Sequence, residues 1–368
     1  MNTMDKKYKY LHLMPGGNSI FNIEFIKFVS MNFAMEDHLF IVFAATPSKD
    51  LGRYSNVIYK KKFDLKTSSS LAYLSDWIFL HGLCYSAWEL IRMRRNFAAK
   101  IIWCVWGNDL YRFFWGDAIK ESITIKNIGR WLYARLMRFI WIFADMNVAS
   151  FKAAIVSFES DHLELKKRFK SMKIYNAAYV IGHFAEELDH LEKEGNKKRI
   201  LLGHCAYPFL RHGKYLDCLR KYANEDFELV IPLSYGNVTY ANSIENIARG
   251  IFGDKVLILR DNKSWLEYAE LINTIDVAIF DYEHQSALGN IFLLLYLRKK
   301  VYLSPSGVIY KGLKSKDVSV YDCHEIGNIP FDQFMDNRLD SENGVEYARR
   351  FFDKLKLVSM WRNVFESL

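Results

Sequence analysis

Two short segments of this chain carry residue types able to do chemistry at the end of a strand. The first runs from His81-Gly82 through Trp88 to Trp106-Gly107-Asn108-Asp109-Leu110-Tyr111, and it offers an imidazole and a carboxylate as proton acceptors. Asp109 is the preferred catalytic base, with His81 as a second base or as the group that orients it. Placed close together, each would tune the other's pKa through its charge. The second segment, His284-Gln285-Ser286-Ala287-Leu288-Gly289-Asn290, leads into a strongly apolar helix. The start of a helix carries about half a unit of positive charge and unpaired N–H groups, which suit a phosphate. Ser286 is expected as the N-cap and Gln285 as a side-chain donor, with Gly289 and Asn290 in the first turn. The plainer alternatives are an Asp109 and a Ser286 that only cap helices.

The elements that must position these residues alternate along the chain. Residues 8–14 read as a buried strand and Pro15-Gly16-Gly17-Asn18 as a turn, and 21–33 has helical spacing. Strands are expected at 38–44, 56–59, 77–81 and 100–106, with helices at 85–95 and 127–143. After a charged stretch at 186–199, strands at 200–203, 227–233, 255–259, 275–280 and 300–303 alternate with helices at 214–222, 241–251, 264–272 and 287–297. This is the βαβ pattern of parallel sheets. In open sheets of this kind ligands bind beyond the carboxyl ends of the strands, where both segments lie. The expected division is a domain at 1–185, a linker at 186–199, a second domain at 200–343 and an amphipathic tail helix at 344–368 that packs back across the domains.

Length and composition agree with two folded domains. The chain has 368 residues, 51% hydrophobic and 25% charged, with 16% aromatics and 6 prolines, so a long disordered linker is not expected. Its five cysteines are scattered without C-x-x-C spacing, which indicates neither a disulfide framework nor a zinc site. The N-terminal stretch is too short and too polar for a signal peptide, and nothing reaches the roughly 20 apolar residues that cross a bilayer.

The net charge of +8 is concentrated. Arg92, Arg94 and Arg95 form one cluster; Lys126, Arg130, Arg135 and Arg138 form another among Trp131, Tyr133, Phe139, Trp141 and Phe143. Basic and aromatic residues on one helix suit an anionic membrane surface or, equally, an aromatic core face with a solvated basic one. No nucleic-acid recognition motif accompanies the charge, so nucleic acid is not an expected partner. Phe113-Phe114-Trp115 cannot all face one core and reads as an exposed apolar patch.

Several chemistries drop out. There is no G-x-G-x-x-G after a strand, no G-x-x-x-x-G-K-[ST] and no G-x-S-x-G. No D-x-D pair occurs, Asp281-Tyr282-Glu283 being the nearest approach, so no acidic clamp for a metal is expected.

Phe79-Leu80-His81-Gly82 with Trp88, Trp106-Gly107-Asn108-Asp109-Leu110-Tyr111, Leu132-Tyr133, Pro232-Leu233-Ser234-Tyr235, Tyr268 before Ile275-Asp276-Val277, and Gln285 with Gly289 are collinear and span most of the chain. In these stretches it resembles the TDP-N-acetylfucosamine:lipid II N-acetylfucosaminyltransferase family, glycosyltransferase family 56, which builds enterobacterial common antigen. The resemblance implies a GT-B type fold, two Rossmann-like α/β domains facing a central cleft. It implies metal-independent transfer of an amino-deoxyhexose from a TDP- or UDP-sugar to a polyprenyl-diphosphate-linked saccharide, with no cofactor. The site would be the cytoplasmic face of the bacterial inner membrane, with the protein held peripherally.

On that reading the donor is bound by Gly203, His212, Tyr235, Gly236, Glu283, Gln285, Ser286, Gly289 and Asn290, and the acceptor by Gly17, Asn18 and Trp106. Phe113, Phe114, Trp115, Arg130 and Trp131 would touch the membrane. Where the family has Gly-Asn-Ser after the first strand of its second domain, this chain has Gly203-His204-Cys205-Ala206-Tyr207 and keeps the later His212. The rivals are a GT-B enzyme with a soluble acceptor, a nucleotide-sugar epimerase, and a non-catalytic nucleotide-sugar-binding protein of the same fold.

Overall fold

A computed structural model of the chain describes residues 7–111, 128–179, 185–192, 195–261, 263–336 and 342–368. It divides into two compact units, Met1–Gly182 with Leu355–Leu368, and His183–Lys354.

The first unit is built on a wholly parallel sheet of β1 (Tyr8–Met14), β2 (His38–Phe43), β3 (Val57–Lys60), β4 (Ser75–His81), β5 (Ile101–Cys104), β6 (Ala153–Val156) and β7 (Lys173–Asn176). Their order is β3-β2-β1-β4-β5-β6-β7. The chain therefore starts in the middle, winds outward one way through β3, and returns to lay β4 on the other side of β1. The strand order reverses between β1 and β4, and this reversal opens a crevice beyond their carboxyl ends. Gly16-Gly17 and His81-Gly82 follow those two strands directly. β2 is buried along its whole length, as expected for a strand covered by helices on both faces.

The C-terminal helix Lys354–Glu366 seals one face of this sheet. Its buried Leu357, Trp361, Val364 and Phe365 recur at helical spacing, and Trp361 donates its indole N–H to the Ala178 carbonyl at 2.9 Å. Each such side chain contributes roughly 1.5–3 kcal/mol on burial.

The second unit repeats the plan with β8 (Arg199–Leu202), β9 (Glu228–Pro232), β10 (Val256–Leu259), β11 (Val277–Phe280), β12 (Lys300–Leu303) and β13 (Tyr321–Asp322). The order is β10-β9-β8-β11-β12-β13, again wholly parallel, and it reverses between β8 and β11. Gly203-His204 and Asp281 to Gln285 lie just beyond that reversal.

Several expectations are corrected. β6, β7 and β13 are strands that alternation does not announce, because two to four residues are too few to show a period. The helix expected over 85–95 is two pieces, Ala87–Arg92 and Arg95–Ala98. The tail is two helices, Glu342–Arg349 and Lys354–Glu366, with the boundary between units falling at Lys354 rather than before residue 344.

Candidate functional site

In the second unit, the turns that follow β8, β9 and β11 meet at one sheet edge. Gly203 has φ 71°, and a Cβ there would lie 2.4 Å from His212 Nε2, so only glycine lets the histidine pack over the backbone. Gly236 has φ 120°, and a Cβ would lie 2.6 Å from the Ala206 carbonyl oxygen. That close approach is sealed by Ala206 N–H donating to Tyr235 O and Asn237 N–H donating to Ala206 O, each at 2.8 Å. Tyr235 is left 52% exposed at the edge.

The strongest electrostatic feature here was not marked by any motif. Asp281, at the end of β11, is fully buried, and its carboxylate accepts from Arg211 at 3.1 Å, Lys214 at 2.9 Å and the Tyr215 hydroxyl at 2.9 Å. Burial pushes its pKa up, but the Lys214 and Tyr215 hydrogen bonds and the Arg211 charge outweigh it and hold the carboxyl below its ordinary value. Arg211 and Lys214 are nearly half exposed, so the buried anion fixes two cations whose outer faces stay open. Arg211 achieves this with a left-handed backbone, φ 52°, at the start of helix His212–Leu219. Such strain in a non-glycine residue costs about 1–3 kcal/mol and persists only where the surroundings enforce it. Cys323 and His324 approach the same carboxylate closely enough to suggest a metal group. Its lone pairs are already engaged by two cations, which oppose a third.

The helix Leu288–Tyr296 begins without a side-chain cap, and this corrects the role given to Ser286. The N-cap is Ala287, with φ 52°. Ser286 Oγ instead pairs with His204 Nε2 at 3.2 Å, while its carbonyl accepts from Tyr282 Oη at 2.8 Å. The first-turn amides of Leu288, Gly289 and Asn290 are therefore left without a side-chain acceptor from the cap. Around them lie buried polar atoms with no hydrogen-bond partner: Gln285 Oε1, His204 Nδ1 and His212 Nε2. The other His212 nitrogen pairs with Tyr240 Oη at 3.1 Å. Burial drives His204 down to about 3, with His212 and His284 adding to the effect, and His212 to about 4, so both rings are neutral. Glu283 is exposed, 3.7 Å from Arg211.

In the first unit, Trp106 lies against the two glycine turns: a Cβ on Gly16 would lie 3.0 Å, and on Gly82 3.4 Å, from its ring. Gly17 has φ 60°, and Asn18 donates to the Thr46 carbonyl at 2.9 Å. Asp109 and His81 do not form the expected pair. The Asp109 carboxylate accepts from Leu83 N–H at 2.8 Å, Trp103 Nε1–H at 2.7 Å, Trp106 N–H at 3.0 Å and Leu110 N–H at 3.1 Å. Four donors spend its lone pairs on fixing the loops after β4 and β5, which makes it a poor base. His81 is fully buried, linked through Nε2 to His12 Nδ1 at 3.0 Å and through Nδ1 to Tyr179 Oη at 2.7 Å. Burial holds its pKa at about 3.

Phe113, Phe114 and Trp115 lie outside the described residues, as do the side chains of Arg130 and Trp131. The helix that carries the last two, Ile128–Val148, exposes Leu136 at 56%, Phe139 at 58%, Phe143 at 48% and Met146 at 69%. The three- and four-residue spacing puts these on one outward stripe.

Comparison with known proteins now places the chain. The profile described as 4-alpha-L-fucosyltransferase, glycosyl transferase group 56, matches residues 34–333. The chain belongs to glycosyltransferase group 56. Among solved structures, a glycosyltransferase from Rickettsia africae ESF-5 is similar at TM-score 0.65 and 14% identity, over 98% of each chain. Anabaena HepE, solved with UDP and glucose, is similar at TM-score 0.64 and 11% identity, over 98% of this chain and 100% of that one. WaaG, a glycosyltransferase involved in lipopolysaccharide biosynthesis, is similar at TM-score 0.59 and 9% identity, over 97% and 99%. This group 56 glycosyltransferase accordingly has the GT-B architecture of two parallel-sheet α/β domains.

Sequence reasoning passed over Arg211, Lys214, His12 and Tyr179, and met Asp281 only as part of an incomplete D-x-D pair. Arg211 and Lys214 are two cations three residues apart at the start of a helix, and Asp281 ends an apolar strand; those were the available signals.

Proposed function

We propose that this group 56 enzyme moves an amino-deoxyhexose, such as N-acetylfucosamine, from a TDP- or UDP-sugar to a polyprenyl-diphosphate-linked saccharide. It does so at the cytoplasmic face of the bacterial inner membrane, in the synthesis of a surface polysaccharide such as enterobacterial common antigen. The carrying observation is the pair Arg211 and Lys214, anchored on buried Asp281 beside the uncapped start of helix Leu288–Tyr296. As the glycosidic bond of the donor breaks, negative charge builds on the diphosphate, and preorganised cations and amides stabilise that charge in the transition state. These groups supply positive charge of their own, which supports a metal-independent transfer. Tyr235, exposed beyond β9, suits stacking on the nucleobase. HepE, of the same fold, has been solved with UDP-glucose, which supports a nucleotide sugar as donor.

Peripheral attachment is supported by the outward stripe Leu136, Phe139, Phe143 and Met146, and by exposed Trp88, Arg92 and Arg95 on two helices that pack against the same helix, with exposed Arg94 between them. Apolar side chains enter the headgroup boundary, and each nearby Arg adds about 1 kcal/mol on anionic lipid. Among the described residues no helix is long and apolar enough to cross a membrane.

The test is a thermal-shift screen of TDP- and UDP-sugars in EDTA, followed by transfer of the stabilising donor to polyprenyl-diphosphate-linked and water-soluble saccharides. Stabilisation by a nucleotide sugar and turnover only with the polyprenyl acceptor are expected. A screen without any stabilising nucleotide sugar, or equal turnover with the soluble saccharide, would overturn the reading.

A further inference from the structure

Three histidines run in file through the core of the first unit. His12 lies on β1 opposite Phe40 of β2 and Phe79 of β4, while His38 pairs with Tyr10. Side chains on a strand alternate between faces, so His12, His38 and His81 share one face, offset by two residues each along the strands. The file therefore steps diagonally from His81, at the carboxyl end of β4, to His38, at the start of β2. Its links are Tyr179 Oη to His81 Nδ1 at 2.7 Å, His81 Nε2 to His12 Nδ1 at 3.0 Å, and His12 Nε2 to His38 Nδ1 at 3.0 Å. All three rings are buried, among Phe25, Phe40, Phe79 and Phe365.

Burial keeps the three rings neutral, with one N–H each. Each link then needs one donor and one acceptor, which leaves two self-consistent states. With every ring protonated at Nε2, Tyr179 donates to His81, and its oxygen can only accept from anything beyond. With every ring protonated at Nδ1, Tyr179 accepts from His81, and its O–H is released to donate. The rings cannot switch singly without opposing two donors or two lone pairs inside an apolar core. Tyr179 stands at the crevice end of the file, its ring 5.7 Å from that of Trp106.

We propose that Tyr179 touches the acceptor hydroxyl and that His81, His12 and His38 form a proton relay behind it, a reading that rests on the glycosyl transfer proposed above. As the acceptor oxygen bonds to the anomeric carbon and the bond to the diphosphate breaks, the hydroxyl proton passes to Tyr179 Oη. The Tyr179 proton passes to His81 Nδ1, the His81 Nε2 proton to His12 Nδ1, and the His12 Nε2 proton to His38 Nδ1. His38 releases its Nε2 proton to water. One proton enters and one leaves, no ring keeps a charge, and every ring is left protonated at Nδ1. Once the product has gone, a proton taken up from water at His38 Nε2 runs the file backwards and the Tyr179 O–H proton passes to water in the crevice, which restores the Nε2 state. Tyr179 is then the catalytic residue, and the histidines are positioning residues acting through it.

The test has two arms. In the first, 15N NMR of the histidine-labelled full chain reads the tautomer of each ring without substrate. The same nitrogen protonated in all three rings is expected, and in Tyr179→Phe the ring shifts of His38, two histidines away, should move. Mixed tautomers, or a His38 signal indifferent to Tyr179→Phe, would overturn the relay whatever the substrate proves to be. In the second arm, Tyr179→Phe should lower kcat at least 100-fold, with the donor KM changed less than threefold and the solvent isotope effect on kcat diminished. A kcat within threefold of wild type in Tyr179→Phe would overturn the relay. It would leave the transfer reading intact, because the wild-type assay decides that separately.

Discussion

Asp109 accepts the indole N–H of Trp103 at 2.7 Å, across the loop that separates the end of β5 from the helix turn Asn108–Tyr111. The same carboxylate oxygen takes the Leu83 N–H from the neighbouring loop. The residue whose type and position best suggest a catalytic base is thus the clasp between two crevice loops. In Asp109→Asn an NH2 must face donors, which costs roughly 2–3 kcal/mol. Urea unfolding should show this loss, and a variant as stable as wild type would return Asp109 to a chemical role.

Arg211→Ala should weaken binding of the stabilising nucleotide sugar more than tenfold, or about 1.4 kcal/mol, by titration calorimetry. It should also lower stability, because the buried Asp281 loses one of its two cations. Unchanged affinity would remove the diphosphate from this edge.

The histidine file sets a pH dependence. Burial, with the charges of its histidine neighbours, lowers His12 well below its usual value, and burial lowers His38 and His81 to about 3. Below about pH 6.5 the unfolded chain binds protons that the folded chain refuses. The contribution of the histidine file to stability is therefore full above 6.5 and falls as pH drops toward 3. Melting temperature against pH should fall steeply through this window, and a flat profile would mean that the rings take up protons while folded.

Asp161 has the opposite sign. It is buried with Tyr111 Oη donating to Oδ1 at 2.8 Å, its Oδ2 has no partner, and burial raises it to about 7. The folded chain holds a proton that the unfolded chain loses above about pH 4, so this contribution is lost as pH rises from 4 to 7. Asp161→Asn should raise the melting temperature at pH 8 relative to pH 5, compared with wild type in the same buffers.

Phe139→Ser with Phe143→Ser should abolish flotation with vesicles rich in anionic phospholipid while leaving the fold intact, since both side chains are exposed. Retained flotation would move the contact surface away from helix Ile128–Val148.

The alternation of apolar runs with helical spacing carried the fold to within a few residues for β1, β2, β4, β8 and β12. The Gly-containing turns after β1, β4 and β8 could be read as crevice turns for the same reason, because a strand end followed by glycine marks itself locally. The role of Ser286 was not readable: its hydroxyl competes between its own helix and His204, and that choice depends on a residue 82 positions away. The same holds for Asp109, one of whose four donors, Leu83 N–H, comes from a loop 26 positions away.

By itself the sequence determined two doubly wound parallel sheets, because periods of 2 and 3.6 are local properties of a chain. It also placed Gly16, Gly82, Gly203 and Gln285 at strand ends. Only the tertiary structure decided which polar groups face one another. Strand order set His12 between His38 and His81, and the left-handed turn at Arg211 set two cations on Asp281. Those pairings depend on sheet register and backbone sign, which no local pattern of residues encodes.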